Sequence, residues 1–156
     1  MSRILWFYGI SGSGKTTAAE YAESFMTHSG EQTVHIDADD VRAHLWPEVN
    51  LGHHGRVVNV DRIVHLCEMI MSANVSVVVS ASAPFEEQRV KALEDIPDIK
   101  FIHVSTPLDI CKKRKPHVYG NSFSVEKADD YPPPYAVISG VLKLEAMQKQ
   151  IEQLLI

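Results

Sequence analysis

Cysteine is scarce: Cys67 and Cys111 are the only two in 156 residues. They lack metal-ligand spacing and lie in helix-like segments, which excludes a disulfide scaffold or a zinc ribbon and leaves reduced core thiols of a cytoplasmic protein. Positive charge is also in deficit, with 15 Lys plus Arg against 20 Asp plus Glu and a net charge of -5. That balance excludes broad, salt-driven binding to bulk nucleic acid or an anionic membrane, but leaves room for a small basic pocket. No apolar run is long enough to span a bilayer; the best, Val75 to Ala83, is short and partly polar. Met1-Ser2-Arg3 leads straight into a strand-like run with no secretory pattern, so the expected location is the cytoplasm. Repeats and low-complexity stretches are absent. What remains is 45% hydrophobic and 22% charged, enough for one globular domain over residues 1–156.

Strand and helix patterns alternate. Ile4 to Tyr8 is a continuous apolar run, the mark of a strand buried on both faces of a parallel sheet. Lys15 to His28 reads as a helix ended by Gly30, Thr33 to Asp37 as a strand, and Asp39 to Leu45 as a short helix stopped by Trp46-Pro47. Val57, Val60, Val64, Cys67 and Met71 mark an amphipathic helix. Val75 to Ser80, Phe101 to Val104 and Ala136 to Ser139 are further strands. Phe85 to Asp95, Thr106 to Arg114 and Leu144 to Leu155 are further helices. The polar, proline-rich residues 115–134 lack periodicity and are expected to form a mobile lid loop. The fold class is α/β, a doubly wound parallel sheet of about five strands flanked by helices.

Gly9-Ile10-Ser11-Gly12-Ser13-Gly14-Lys15-Thr16 matches G-x-x-x-x-G-K-[ST] in full, between a buried strand and a helix. Glycines let backbone N–H groups curl round phosphates, and the helix N-terminus adds its positive end. Gly9, Ser11, Gly12, Ser13, Gly14, Lys15, Thr16 and Thr17 are therefore expected to bind ATP, Lys15 on the β/γ oxygens and the Thr16 hydroxyl on Mg²⁺. The motif alone does not separate kinase, switch GTPase and motor ATPase.

Asp37-Ala38-Asp39-Asp40-Val41-Arg42 follows the second strand, whose carboxyl end faces the ligand crevice of such a sheet. Asp37 and Asp39 are expected to be catalytic, holding Mg²⁺ through water or accepting a proton from an attacking hydroxyl. Asp40 reads as a solvated helix start. Arg42, a helical turn beyond Asp39, can reach an anionic acceptor. Arg56, Asn59 and Arg62 share one face of the third helix, which suits either a phosphate or sulfate group or an ordinary wet surface. The eight histidines are scattered, and His53-His54 are expected in a loop.

These motifs, in this order, resemble the adenylylsulfate kinase family of P-loop kinases. The likeness rests on Gly9 to Thr17, on Asp37 to Arg42, on Leu51-Gly52 with Arg56, Asn59 and Arg62, on Ala83-Pro84-Phe85, and on Ser105-Thr106-Pro107-Leu108 with Cys111 and Arg114. The resemblance implies an ATP-dependent phosphotransferase acting on a hydroxyl of adenosine 5'-phosphosulfate in sulfate assimilation. It implies Arg114 beside the ATP base, and Asp39, Arg42, Arg56, Asn59, Arg62, Phe85 and Phe123 around the acceptor. The implied partners are Mg²⁺, ATP and a small nucleotide, and a homodimer is admitted. The chain departs from the family in having His53 where phenylalanine is usual, a shortened loop between Gly52 and Arg56, and no lysine within His117-Val118-Tyr119-Gly120-Asn121, where the family's lid usually carries them. Those departures also fit a kinase of a related nucleotide such as a cytidine diphosphoramidate. A polynucleotide 5'-kinase and a non-catalytic ATP-binding module are the remaining alternatives.

Overall fold

The computed structural model describes residues 1–156. Five parallel strands, β1 (Ile4–Tyr8), β2 (Thr33–Asp37), β3 (Ser76–Ser80), β4 (Lys100–Ser105) and β5 (Ala136–Ser139), lie in the order β2-β3-β1-β4-β5. β1 is central because its side chains are apolar on both faces. Ile4, Trp6 and Tyr8 point to one side and Leu5 and Phe7 to the other, and all five are buried.

Helices α1 (Lys15–His28), α2 (Ala38–Leu45), α3 (His53–Ser72), α4 (Glu86–Asp95), α5 (Leu108–Arg114) and α6 (Leu144–Leu155) complete the fold. α1 presents Ala18, Ala19, Ala22 and Met26, and α6 presents Met147, Ile151 and Leu155, to the face of Leu5 and Phe7. α3 and α4 cover the opposite face with Val60, Ile63, Val64, Cys67 and Ala92. Each fully buried aliphatic side chain contributes about 1.5–3 kcal/mol, so both layers are needed to hold the sheet. Both cysteines are free and buried, and no helix is long and apolar enough to cross a membrane.

The third helix starts earlier than its apolar stripe suggests, and this corrects the loop expected at His53-His54. The Arg56 N–H already donates to Gly52 O at 2.9 Å. Gly55 sits so close to Asn50 that a Cβ there would come within 2.1 Å of the Asn50 carbonyl oxygen. A glycine in the first turn thus lets the chain enter the helix directly, and His53 and His54 lie on its exposed start.

Residues 115–134 contain a single 3-10 turn, Pro116–Val118, and are tied down at several points. The buried Arg89 donates to Ala83 O at 2.5 Å, Asp129 O at 2.5 Å and Tyr131 O at 3.0 Å, and its guanidinium lies 4.4 Å from the Tyr8 ring centroid. Tyr119 donates its hydroxyl to Ser11 O, and Arg56 donates to Phe123 O at 3.0 Å. This segment therefore bridges the phosphate-loop motif, α3 and α4.

Candidate active site

β1 ends at Tyr8 and the chain turns back through Gly9 to Gly14 before α1 begins. The backbone N–H groups of Gly12, Gly14, Lys15 and Thr16 find no acceptor in the protein, so a row of donors is left at the positive end of α1. Gly12 adopts φ +85, a conformation that disfavours other residues, and packs against α5: a Cβ would come within 2.8 Å of Cys111 O. From behind, Thr106 donates to Ser13 O at 2.7 Å, and Arg114 donates to Gly12 O at 3.0 Å and Gly140 O at 2.8 Å. Gly9 and Ser13 shape the turn from within and do not line either cavity described below; the Ser13 hydroxyl is buried without a partner.

Asp37 is the structural centre of the acidic segment. It caps α2, its carboxylate accepting from the N–H groups of Asp39 at 3.1 Å and Asp40 at 3.2 Å. The other oxygen accepts from the Thr16 hydroxyl at 3.3 Å and the Ser80 hydroxyl at 2.9 Å. Ser80 in turn lies 2.8 Å from His35 Nε2; because its hydroxyl donates to Asp37, the imidazole is the donor there. β3 ends in this serine, in register with Asp37 on β2, so the acid on the edge strand is held by a hydroxyl from the neighbouring strand. Asp39 is exposed, 4.0 Å from Arg42. Asp40 faces solvent beside His44 at 3.3 Å.

Two cavities meet at the loop. The outer one, about 420 Å³, is lined by Gly14, Thr17, Arg114, Gly140, Leu142 and Met147 among others. The inner one, about 70 Å³, is lined by Ser11, both Asp37 and Asp39, Arg42, Arg56 and Asn59, together with the Ser80–Pro84 segment. Gly12, Lys15, Thr16 and Lys115 belong to both. The inner cavity is far below the several hundred Å³ that a nucleotide fills, so any such occupant requires its walls to move apart.

Lys15 is the half-buried cation at the junction. Burial pushes its ammonium down to about 8 from its ordinary 10.5, against the opposing pull of Asp39 and Asp37, while Lys115 pushes it further down. Arg56 is also lowered by burial; it donates to Leu51 O at 2.8 Å. Asn59 accepts from the Trp46 indole N–H at 2.6 Å, which joins α2 to α3.

Arg62, Phe85 and Phe123 are not brought into the inner cavity. Arg62, one turn up α3 from Asn59, lies 5.5 Å from the Trp46 ring centroid and pairs with Glu48 at 3.0 Å. Phe85 packs on His53 with centroids 4.2 Å apart, and His53 pairs with Glu87. Phe123 is half exposed and lies next to Gly52. In their place the structure adds Gln88, Ser80, Asn50 and Lys115, none of which the motifs single out. Gln88 is buried and accepts from Phe85 N at 3.0 Å, while its Nε2 has no partner. A side-chain cap three residues after the N-cap was the available signal for it.

Thr16 and Asp37 present hard oxygen donors side by side at the cavity junction, the donor set that suits Mg²⁺. The strand order, the phosphate loop after β1 and the acidic edge of β2 define a P-loop kinase fold. The same fold, with a TM-score of 0.88 and 22% identity, is found in the Mycobacterium tuberculosis APS kinase CysC solved in complex with AMPPNP and APS, covering 99% of this chain and 97% of that one.

Residues 1–122 match the family described as adenylylsulphate kinase, and the chain belongs to that family. It is 32% identical over 117 residues to the adenylyl-sulfate kinase of Buchnera aphidicola subsp. Acyrthosiphon pisum, a match that covers 74% of this chain and 57% of that protein. It is 36% identical over 115 residues to the bifunctional enzyme NodQ of Rhizobium meliloti, covering 72% of this chain and 18% of that protein. The chain thus spans about a fifth of one relative and just over half of the other.

Proposed function

We propose that this protein transfers the γ-phosphoryl group of ATP to a hydroxyl of a small acidic nucleotide, adenosine 5'-phosphosulfate before any other. The observation that carries the reading is that two cavities share the walls Gly12, Lys15 and Thr16, so a donor in one and an acceptor in the other would meet at the phosphate-loop lysine. Family membership supports the choice of acceptor.

In this reading the outer cavity takes the nucleoside of ATP, with Arg114 at its wall and the free N–H groups of the loop on the phosphates. Thr16 and Asp37 would hold Mg²⁺, which when bound neutralises phosphate charge. Lys15 binds the oxygens of the transferred group and stabilises the charge on them as it moves. Asp39 takes the proton of the acceptor hydroxyl. Arg42, Arg56 and Asn59 hold the acceptor's acidic group. The 115–134 segment acts as the lid that excludes water, since exposure of the same site would favour ATP hydrolysis.

The test is transfer of γ-labelled phosphate from MgATP to a panel holding adenosine 5'-phosphosulfate, a cytidine diphosphoramidate and an oligonucleotide with a free 5' end. Label on adenosine 5'-phosphosulfate at the highest kcat/KM is expected. Label on another member alone reassigns the acceptor, and ATP binding with no transfer to any member refutes the kinase reading.

A further inference from the structure

The run Lys112-Lys113-Arg114-Lys115 at the end of α5 divides its tasks. Lys112 pairs with Glu126 at 2.8 Å. Arg114 is spent on the carbonyls of Gly12 and Gly140. Lys115 makes no ion pair and no side-chain hydrogen bond, yet it lines both cavities, as Lys15 does. Its backbone is held on both sides: its N–H donates to Cys111 O at 3.0 Å, and its carbonyl accepts from Val118 N at 3.1 Å. The side chain therefore leaves a fixed point, where the helix ends and the 115–134 segment begins.

Two ammonium groups that line one gap repel each other. Nothing in the fold requires that arrangement, because an exposed lysine after a helix can turn to solvent. A polyanion in the gap reverses its sign.

We propose that Lys115 is a catalytic residue, its ammonium sharing with Lys15 the charge of the phosphoryl group as that group passes from the outer cavity to the inner one. The inference rests on the kinase reading above and deepens it. In the step, the bond from the γ-phosphorus to the bridging oxygen of ATP breaks and its electron pair stays on ADP. The bond from phosphorus to the acceptor oxygen forms, and the acceptor proton goes to Asp39. Lys115 neither gives nor takes a proton; it acts through charge. Because it stands at the root of the lid segment, its approach is tied to closure of that segment.

The experiment compares wild type, Lys115→Met and Lys115→Arg with MgATP and adenosine 5'-phosphosulfate, reading kcat, the calorimetric Kd for MgATP and Tm. Lys115→Met is expected to lose roughly 10²- to 10³-fold in kcat, the range for removing one charge-stabilising donor, while keeping its ATP affinity and Tm. Lys115→Arg is expected to recover most of the loss. Wild-type kcat in Lys115→Met overturns the assignment, as does a parallel fall in kcat, ATP affinity and Tm, which would mark a structural role. A wild-type protein that transfers nothing overturns the kinase reading and this assignment with it, whereas an active wild type with an unaffected Lys115→Met overturns the assignment alone.

Discussion

The Thr16 hydroxyl donates to the Asp37 carboxylate across 3.3 Å, joining the first turn of α1 to the end of β2. One carboxylate thereby serves three neighbours: the phosphate loop, the start of α2 and, through Ser80, the end of β3.

Asp37→Ala removes both the cap and the link. Loss of the cap is expected to cost about 0.5–2 kcal/mol of stability. Asp37→Asn keeps a side-chain cap but replaces one hard oxygen by an amide nitrogen. It is expected to keep a near-native Tm while losing turnover and Mg²⁺ dependence. Thermal melts and kcat against Mg²⁺ concentration separate the two variants.

Asp39 differs from Asp37 in carrying no hydrogen bond from the backbone, and it is exposed to the inner cavity. Asp39→Asn should leave Tm and the Kd for MgATP unchanged and reduce kcat roughly 10²- to 10⁴-fold, the range for loss of a general base. Unchanged turnover would remove Asp39 from proton transfer.

Gly140 follows β5 and backs the phosphate loop. A Cβ there would lie 1.9 Å from Ser13 O and 2.0 Å from Thr106 Oγ1. Gly140→Ala is therefore expected to displace the loop, to lower stability by about 1–3 kcal/mol as overpacking does, and to weaken ATP binding. A melt and a nucleotide titration on the same sample measure both.

Lys15 gives the site a proton linkage. In the free protein its pKa is lowered to about 8 by burial, against 10.5 in the unfolded chain. Below the lower value its charge in a buried seat is a full cost to the fold. As pH rises between the two values the unfolded chain holds the proton and the folded one does not, so this cost shrinks steadily, stability rises with pH, and the cost is gone above the upper value. A bound triphosphate holds the ammonium charged. Binding at about pH 9 should then take up close to one proton, and at about pH 7 almost none. Calorimetry in two buffers of different ionisation enthalpy reads that number directly.

Much of this was legible in the residues alone, for identifiable reasons. Ile4 to Tyr8 is buried on both faces and reads as a continuous apolar run. The loop from Gly9 to Thr16 must satisfy a steric pattern that few sequences meet. Asp37 and Arg42 follow from the strand end. What escaped was long-range and polar. Gln88 is drawn in by the cap of α4, Lys115 by the end of α5, and Ser80 by its register with Asp37. Arg62 shares a helical face with Arg56 and Asn59, yet Trp46 and Glu48 claim it outside the cavity. Spacing along a helix does not reveal a neighbour supplied by another element.

The most direct measurement is the ratio of ADP released to acceptor phosphorylated, with adenosine 5'-phosphosulfate added and withheld. A donor cavity and an acceptor cavity that meet at Lys15 predict a one-to-one ratio and little ADP when the acceptor is withheld. ADP released at the same rate with and without acceptor, or no ADP in either case, would contradict them.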